Sequence, residues 1–242
     1  MLRTSSSLTT LSAKWKQNIL SPLRNIPLHF NANSRAPLFE ASKVINYQKA
    51  SHDDVEFRDS WTAYLPYPET PKTDLNVVTN CIEERAAAFQ GYVPLERMEA
   101  LQLVKYLLAR KTITDNRYYD RQHFNEHFDW FDPRDESIVE PGNRRSSFFV
   151  YLVADCVGGS TSFPNVPRPQ RPEWCGAIKC QDENGGEVTY LDVQPKVGTA
   201  VFWYNLQPSG DVDYNTLHAG TPVINGTKIG MNIWTRERKF RI

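Results

Sequence analysis

One stretch of helical periodicity, followed by a long run of period-two and continuously apolar segments, organises this chain. Between residues 74 and 90 the apolar positions Leu75, Val78, Ile82 and Phe89 fall on one face, with Thr73 or Asp74 placed to cap the start and Gly91 to end it. This spacing predicts an amphipathic helix covering a sheet. Residues 95–99 read as a short helical turn. Strand patterning then recurs over residues 100–106, 122–130, 147–154, 187–193, 199–206 and 228–236, separated by Gly, Pro and Asn turns. Strands in this number and spacing predict a mainly β fold with flanking α-helices, arranged as a two-sheet jelly roll. Residues 164–174, rich in Pro and Arg, read as a loop over one open end of that fold and a natural substrate lid. Asn225-Gly226-Thr227 matches a glycosylation sequon, but its position predicts a hairpin turn instead.

Composition adds bounds. A chain of 242 residues with 40% hydrophobic and 12% aromatic residues can bury a substantial core in one domain. Lys plus Arg and Asp plus Glu both number 28, so no overall field favours nucleic acid. No apolar run reaches membrane-spanning length. Residues 1–39 differ from the rest: they carry Arg3, Lys14, Lys16, Arg24 and Arg35, many Ser and Thr, and no acidic residue. They read as an N-terminal extension of about 1–45, strand-forming or poorly ordered, with a transit-peptide composition as the alternative. Residues 46–242 form the catalytic domain in this division. With no convincing secretory signal, a cytoplasmic location and reduced thiols are the default, a mitochondrial one the alternative, although Cys175 and Cys180 stand close enough for a local disulfide. Cys81, on the helical pattern, is expected in the core.

The chemistry concentrates in His127-Phe128-Asp129. Two residues apart on a strand, His127 and Asp129 face the same way, so an imidazole and a carboxylate can converge on one ion. His218, far downstream, supplies a third ligand. Two His and one carboxylate form the facial triad of non-haem Fe(II) oxygenases, which leaves the opposite coordination positions open. Ten residues on, Lys228 stands alone in an apolar strand segment. Buried lysine needs a partner, so this one asks for an anion such as a carboxylate.

The segment from Arg117 through Phe131 resembles the RYxxGQxYxxHxDxF block of the prolyl 4-hydroxylase-type Fe(II)/2-oxoglutarate dioxygenases. Three further blocks agree in order: Gly158 to Pro164 resembles GGxTxFP, Pro195 to Phe202 resembles PKxGxAxxF, and Leu217 to Val223 with Lys228 and Trp234 resembles the family's ending. Two positions depart from the pattern: Arg121 stands where the family has Gly, and Ser160 where Glu is frequent. The resemblance implies a double-stranded β-helix, Fe(II) on His127, Asp129 and His218, and 2-oxoglutarate, O₂ and ascorbate as its companions. Lys228 would pair with the distal carboxylate of 2-oxoglutarate, with Tyr118 and Thr161 as hydroxyl donors and Trp234 packing beside it. Tyr106 is an alternative to Tyr118, which is preferred because it precedes His127 without a gap; residues 107–117 would then be an added loop at the mouth.

The implied reaction hydroxylates a prolyl residue, or a related amino-acid-derived substrate, while 2-oxoglutarate is converted to succinate and CO₂. Two other classes compete: an oxygenase of the same mechanism acting on a small metabolite, and a jelly-roll binding protein without turnover. The partners expected are therefore a peptide or a small molecule.

Overall fold

A computed structural model describes residues 8–11, 39–42, 58–67, 74–107 and 122–241. Eleven strands are defined there, β1 (Leu8–Leu11), β2 (Glu40–Ala41), β3 (Trp61–Tyr64), β4 (Gln102–Leu107), β5 (Phe124–His127), β6 (Arg144–Gly158), β7 (Thr161–Pro167), β8 (Tyr190–Val193), β9 (Ala200–Tyr204), β10 (His218–Gly220) and β11 (Val223–Arg236). They form two antiparallel sheets, a larger one ordered β1-β9-β6-β11-β4-β3-β2 and a smaller one ordered β5-β10-β7-β8. The predicted jelly roll is thus the observed architecture.

The alternation read from sequence becomes two packing layers. On the larger sheet Phe148, Val150, Phe202, Met231 and Ile233 face outward and meet helix α1 (Asp74–Phe89) through Ile82, Ala86 and Ala87. The intervening residues Phe149, Tyr151, Val201 and Trp203 face inward and pack against Phe163, Leu191 and Val193 of the smaller sheet. A one-residue slip would exchange these layers, which is why the register is strongly specified. At Gly230 an added Cβ would lie 2.1 Å from Phe149 Cζ, so glycine there lets the Phe149 ring cross β11. The helix ends where expected, with Gly91 and then Tyr92 at positive φ. Its buried Glu83 pairs with Arg241 at 2.6 Å, tying the C-terminal segment back to the helix.

Several expectations change. Strand β7 runs through Pro164 to Pro167 where a loop was expected; it pairs Phe163 with Leu191 and then shifts register to pair Pro167 with Tyr190, so the prolines fall at an irregularity where ladder donors are not required. Asn225-Gly226-Thr227 lies within β11, opposite Val157, Cys156 and Asp155, and is not a hairpin turn. Cys175 and Cys180 are joined in a disulfide, against the reduced default, and Cys81 is half-buried on α1. At the N-terminus, Leu8–Leu11 pairs with β9 as an edge strand, the strand-forming reading of the extension. No described helix is long and apolar enough to cross a membrane. Residues 108–121, including Tyr118 and nearly all of the expected added loop, lie outside the described residues.

Candidate active site

The three predicted ligands come together. His127 ends β5 and His218 begins β10, directly opposite in the antiparallel register, with ring centroids 4.2 Å apart. Asp129 sits in the bend after β5 and not on the strand itself, so sheet pairing does not aim it. A cross-sheet hydrogen bond does: Ser147 of β6 donates to Asp129 Oδ2 at 2.6 Å, and Asn205 Nδ2 donates to the Ser147 oxygen at 2.9 Å. One ligand atom from each of the three residues lies within 4.8 Å of the others.

Backbone carbonyls select the tautomers. His127 Nδ1 lies 2.7 Å from the Asn125 carbonyl and His218 Nδ1 lies 2.8 Å from the Thr216 carbonyl. A carbonyl only accepts, so both Nδ1 atoms carry the proton and both Nε2 lone pairs are free to bind a metal. Burial, reinforced by His218, holds the His127 imidazole well below the usual histidine range, favouring the neutral form a metal needs. Burial acts to raise the Asp129 carboxyl, but the polar surroundings supplied by His218, Arg144, His127 and the Ser147 hydrogen bond outweigh it and hold the group below its ordinary value. Two neutral imidazoles and one carboxylate on one side fit a divalent, redox-active ion with open positions.

The ligands open into a cavity of about 720 Å³. At its inner end Lys228 is fully buried, its Nζ donating to the Gly159 carbonyl at 2.8 Å and lying 4.1 Å from the centre of the Tyr106 ring. Gly159 has φ +76°, and a Cβ there would meet Lys228 Cδ at 3.3 Å, so the Gly-Gly turn makes room for the lysine stem. No carboxylate pairs with Lys228 among the described residues, and burial pushes its pKa down to about 7. Tyr106, the alternative in the sequence, is the tyrosine at this corner: from the Cβ position of Gly220, its hydroxyl is 3.5 Å and Lys228 Nζ 3.8 Å away. These are features of a small cradle for an anion, two residues from His218.

Thr161 lines the same cavity, but its hydroxyl is engaged. Tyr151 donates to the Val193 carbonyl at 3.0 Å and lies 2.6 Å from Thr161 Oγ1. With the single phenolic proton on Val193, Thr161 must donate to Tyr151, so in this arrangement it has no proton left for a ligand. Trp234 shares the inward face of β11 with Lys228 but lies six residues along, opposite Ser147 and hence at the Asp129 end. Its ring is covered at 3.6 Å by the Arg144 guanidinium, which itself pairs with Glu99 at 2.7 Å.

Sequence reasoning missed the mouth. Phe128, Trp130 and Tyr214 form an aromatic cluster with centroids 4.5–5.8 Å apart, joined at the rim by Asp132, Pro133 and Arg134. The aromatic residues interleaved with His127 and Asp129 were the available signal. Tyr64, Gln102 and Asn232 form a hydrogen-bonded polar row on the larger sheet, with no signal in one dimension. Residues 164–174, expected at the mouth, do not line the cavity.

The chain belongs to the 2OG-Fe(II) oxygenase superfamily, whose family model matches residues 114–236. Membership implies Fe(II), 2-oxoglutarate and O₂, and the donor set and inner cradle fit such an ion and such an anion. Among known proteins, the chain is 29% identical over 217 residues to probable prolyl 4-hydroxylase 6 of Arabidopsis thaliana, covering 88% of this chain and 65% of that one. It is 39% identical over 186 residues to prolyl 4-hydroxylase subunit alpha-1 of Gallus gallus, covering 75% and 28%. The chain thus spans less than two thirds of either relative. A solved prolyl hydroxylase from Trichoplax adhaerens, in complex with a hypoxia inducible factor peptide fragment, shares the fold with TM-score 0.53, 10% identity, and coverage of 96% and 84%.

Proposed function

We propose that this chain is a 2-oxoglutarate-dependent Fe(II) dioxygenase that hydroxylates a prolyl residue within a peptide. The observation that carries the reading is the convergence of His127, Asp129 and His218, with both imidazole Nδ1 atoms committed to carbonyls, on a cavity whose inner end holds a fully buried lysine with no counter-ion among the described residues. The peptide part rests on the relatives' names and on the open mouth, where Tyr64 and Tyr214 are 57% and 63% exposed.

His127 and His218 present Nε2 and Asp129 a carboxylate oxygen to the metal, while Ser147 and Asn205 keep that carboxylate from swinging away. Lys228 and Tyr106 take the distal carboxylate of 2-oxoglutarate, where a charged hydrogen bond in a dry corner is strongest. Phe149 lines the cavity beside Lys228, and Trp234 lines it at the Asp129 end. When bound, the metal and the keto acid together supply the oxidising power, so no side chain needs to move a proton in the hydroxylation. The chain contributes the ligand geometry, the buried anion cradle and an open mouth.

The test is turnover of proline-containing peptides by the full chain with Fe(II), 2-oxoglutarate and O₂. Succinate formed in proportion to peptide, with one oxygen atom added at proline by mass spectrometry, is the expected result. Succinate release stimulated instead by free amino acids, with every peptide inert, would move the substrate assignment to a metabolite.

A further inference from the structure

Among the described residues, Lys228 is one of two buried cations in this cavity that have no carboxylate partner. The other is Arg58, which lies just before β3, bridges to Phe124 of β5 and is 9% exposed. Its Nε donates to Ser60 Oγ at 3.0 Å and its Nη2 to Thr62 Oγ1 at 3.3 Å, both neutral acceptors. Its guanidinium lies 4.4 Å from the centre of the Phe124 ring, and that ring stacks on His127 at 3.5 Å. None of the ion pairs among the described residues involves Arg58.

The contrast with the other enclosed arginines is direct. Arg144 and Arg236 share Glu99, Arg168 pairs with Glu187, and Arg241 pairs with Glu83. Those pairs satisfy the rule that a desolvated charge is kept only with a partner. Arg58 instead lines the cavity, and burial holds its guanidinium below its ordinary value. After Tyr106 and Tyr64, Asp129 acts electrostatically on Arg58, but it makes no ion pair with it and is committed to the imidazoles and Ser147. A dianionic keto acid held between the metal and Lys228 would balance the charge there and leave Arg58 still without a counter-ion.

We propose that Arg58 binds a carboxylate of the substrate, placed close to the residue that is hydroxylated. This rests on the peptide reading above and narrows it to acidic peptides. The carboxylate could belong to an aspartate or glutamate side chain flanking the proline, or to a free peptide C-terminus; both present the planar pair of oxygens that a guanidinium fork accepts.

The test uses blocked peptides of equal length with one central proline, with Asp, Asn or Lys scanned through the flanking positions. A further Asn peptide has a free C-terminal carboxylate. Binding to the full chain loaded with Mn(II) and 2-oxoglutarate is read by fluorescence anisotropy, and hydroxylation is read in parallel with Fe(II). The wild type should bind its best Asp peptide, or the free-carboxylate peptide, roughly 10- to 100-fold more tightly than the blocked Asn counterpart. Which of the two is favoured identifies the source of the carboxylate. Arg58→Gln should remove the preference and Arg58→Lys should keep part of it, with 2-oxoglutarate affinity changed by less than about twofold.

Equal binding of carboxylate and blocked Asn peptides by the wild type overturns the proposal, whatever the variants do. So does a preference that survives Arg58→Gln, or a loss in Arg58→Gln that falls on 2-oxoglutarate. Proline hydroxylation without any preference for a carboxylate leaves the dioxygenase reading standing and removes the role of Arg58. An Arg58-dependent carboxylate preference with no proline hydroxylated does the reverse.

Discussion

The two ends of the cavity are built on opposite principles. At the inner end Lys228, Tyr106 and Thr161 are all buried and rooted in interior strands of the two sheets. At the mouth, Tyr64 and Tyr214 are mostly exposed and the Arg134 side chain is 87% exposed, paired with Asp132. His127, Asp129 and His218, the proposed iron ligands, line the same cavity. The inner end can therefore fix one small anion, while the mouth can change its occupant without disturbing the chemistry. Variants at the two ends should separate cosubstrate from substrate kinetics.

The largest effect is expected at the proposed iron ligands. Removing one of three protein ligands with Asp129→Ala or His218→Ala should abolish metal-dependent turnover at both ends alike. Ser147→Ala is the sharper test, because it leaves all three ligands and removes only the hydrogen bond that aims Asp129. Supporting hydrogen bonds of this kind are worth roughly 10- to 100-fold in metal affinity. Metal titration monitored by tryptophan quenching would read it directly. Unchanged affinity in Ser147→Ala would show that Asp129 is aimed by the bend alone.

Next comes the inner end. Lys228→Met should raise the 2-oxoglutarate KM by a factor equivalent to about 3–5 kcal/mol, the usual consequence of leaving a buried charge unpartnered, with little change in metal affinity. Tyr106→Phe should cost less, and Tyr118→Phe less again if Tyr106 is the cosubstrate tyrosine. The pH dependence follows from the lysine pKa of about 7 in the ligand-free protein. Below pH 7 the folded and unfolded chains both carry its proton, and the cost of burying the charge is present in full. As pH rises from about 7 towards the ordinary lysine value, only the unfolded chain holds the proton, so the ligand-free fold gains stability. Binding a carboxylate requires the ammonium. Calorimetry at pH 8 in two buffers of different ionisation enthalpy should therefore detect proton uptake with 2-oxoglutarate, absent in Lys228→Met.

The same contrast explains what could be read from sequence. His127, Asp129 and Lys228 could be singled out from local patterns, an HxD pair and a lysine in an apolar run, while His218 was picked out with the help of the family-like block around it, and the bend that carries Asp129 left no mark. The central strands β4, β6, β9 and β11 were legible because their faces are largely buried, whereas the short, mostly exposed strands β2 and β3 at one edge of the same sheet carried no such pattern. Arg58, Tyr64 and Asn232 were not, since what matters about them is the neighbour across a sheet. The preference for Tyr118 relied on continuity along the chain, whereas Tyr106 reaches Lys228 through its register on β4, directly opposite it on β11. Pro164 to Pro167 read as loop because proline lacks a ladder donor, and the register shift that accommodates it has no sequence mark. The disulfide joins two loop cysteines whose spacing alone also fits free thiols.

The smallest effect is expected where the sequence most strongly suggested a lid. Residues 164–174 do not line the cavity; they reach the mouth through Asn165, whose Nδ2 donates to the Tyr214 carbonyl at 3.0 Å across an exposed contact. Tyr214 in turn packs edge-on against Phe128 and Trp130. Asn165→Ala removes one exposed hydrogen bond, worth about 0.5–1.5 kcal/mol at most, and acts on substrate only through the position of Tyr214. It should raise the peptide KM by no more than a few-fold and leave 2-oxoglutarate kinetics unchanged. Tyr214→Ala, which removes the ring itself, should raise the peptide KM several times further. Arg171→Ala breaks only an exposed pair with Glu173 at 3.6 Å and should change neither substrate. Measured together, the three variants should rank Tyr214, Asn165, Arg171 in peptide KM. If Arg171→Ala equals or exceeds Tyr214→Ala, the segment closes over bound peptide as a lid, and the division between a fixed inner end and a passive mouth fails.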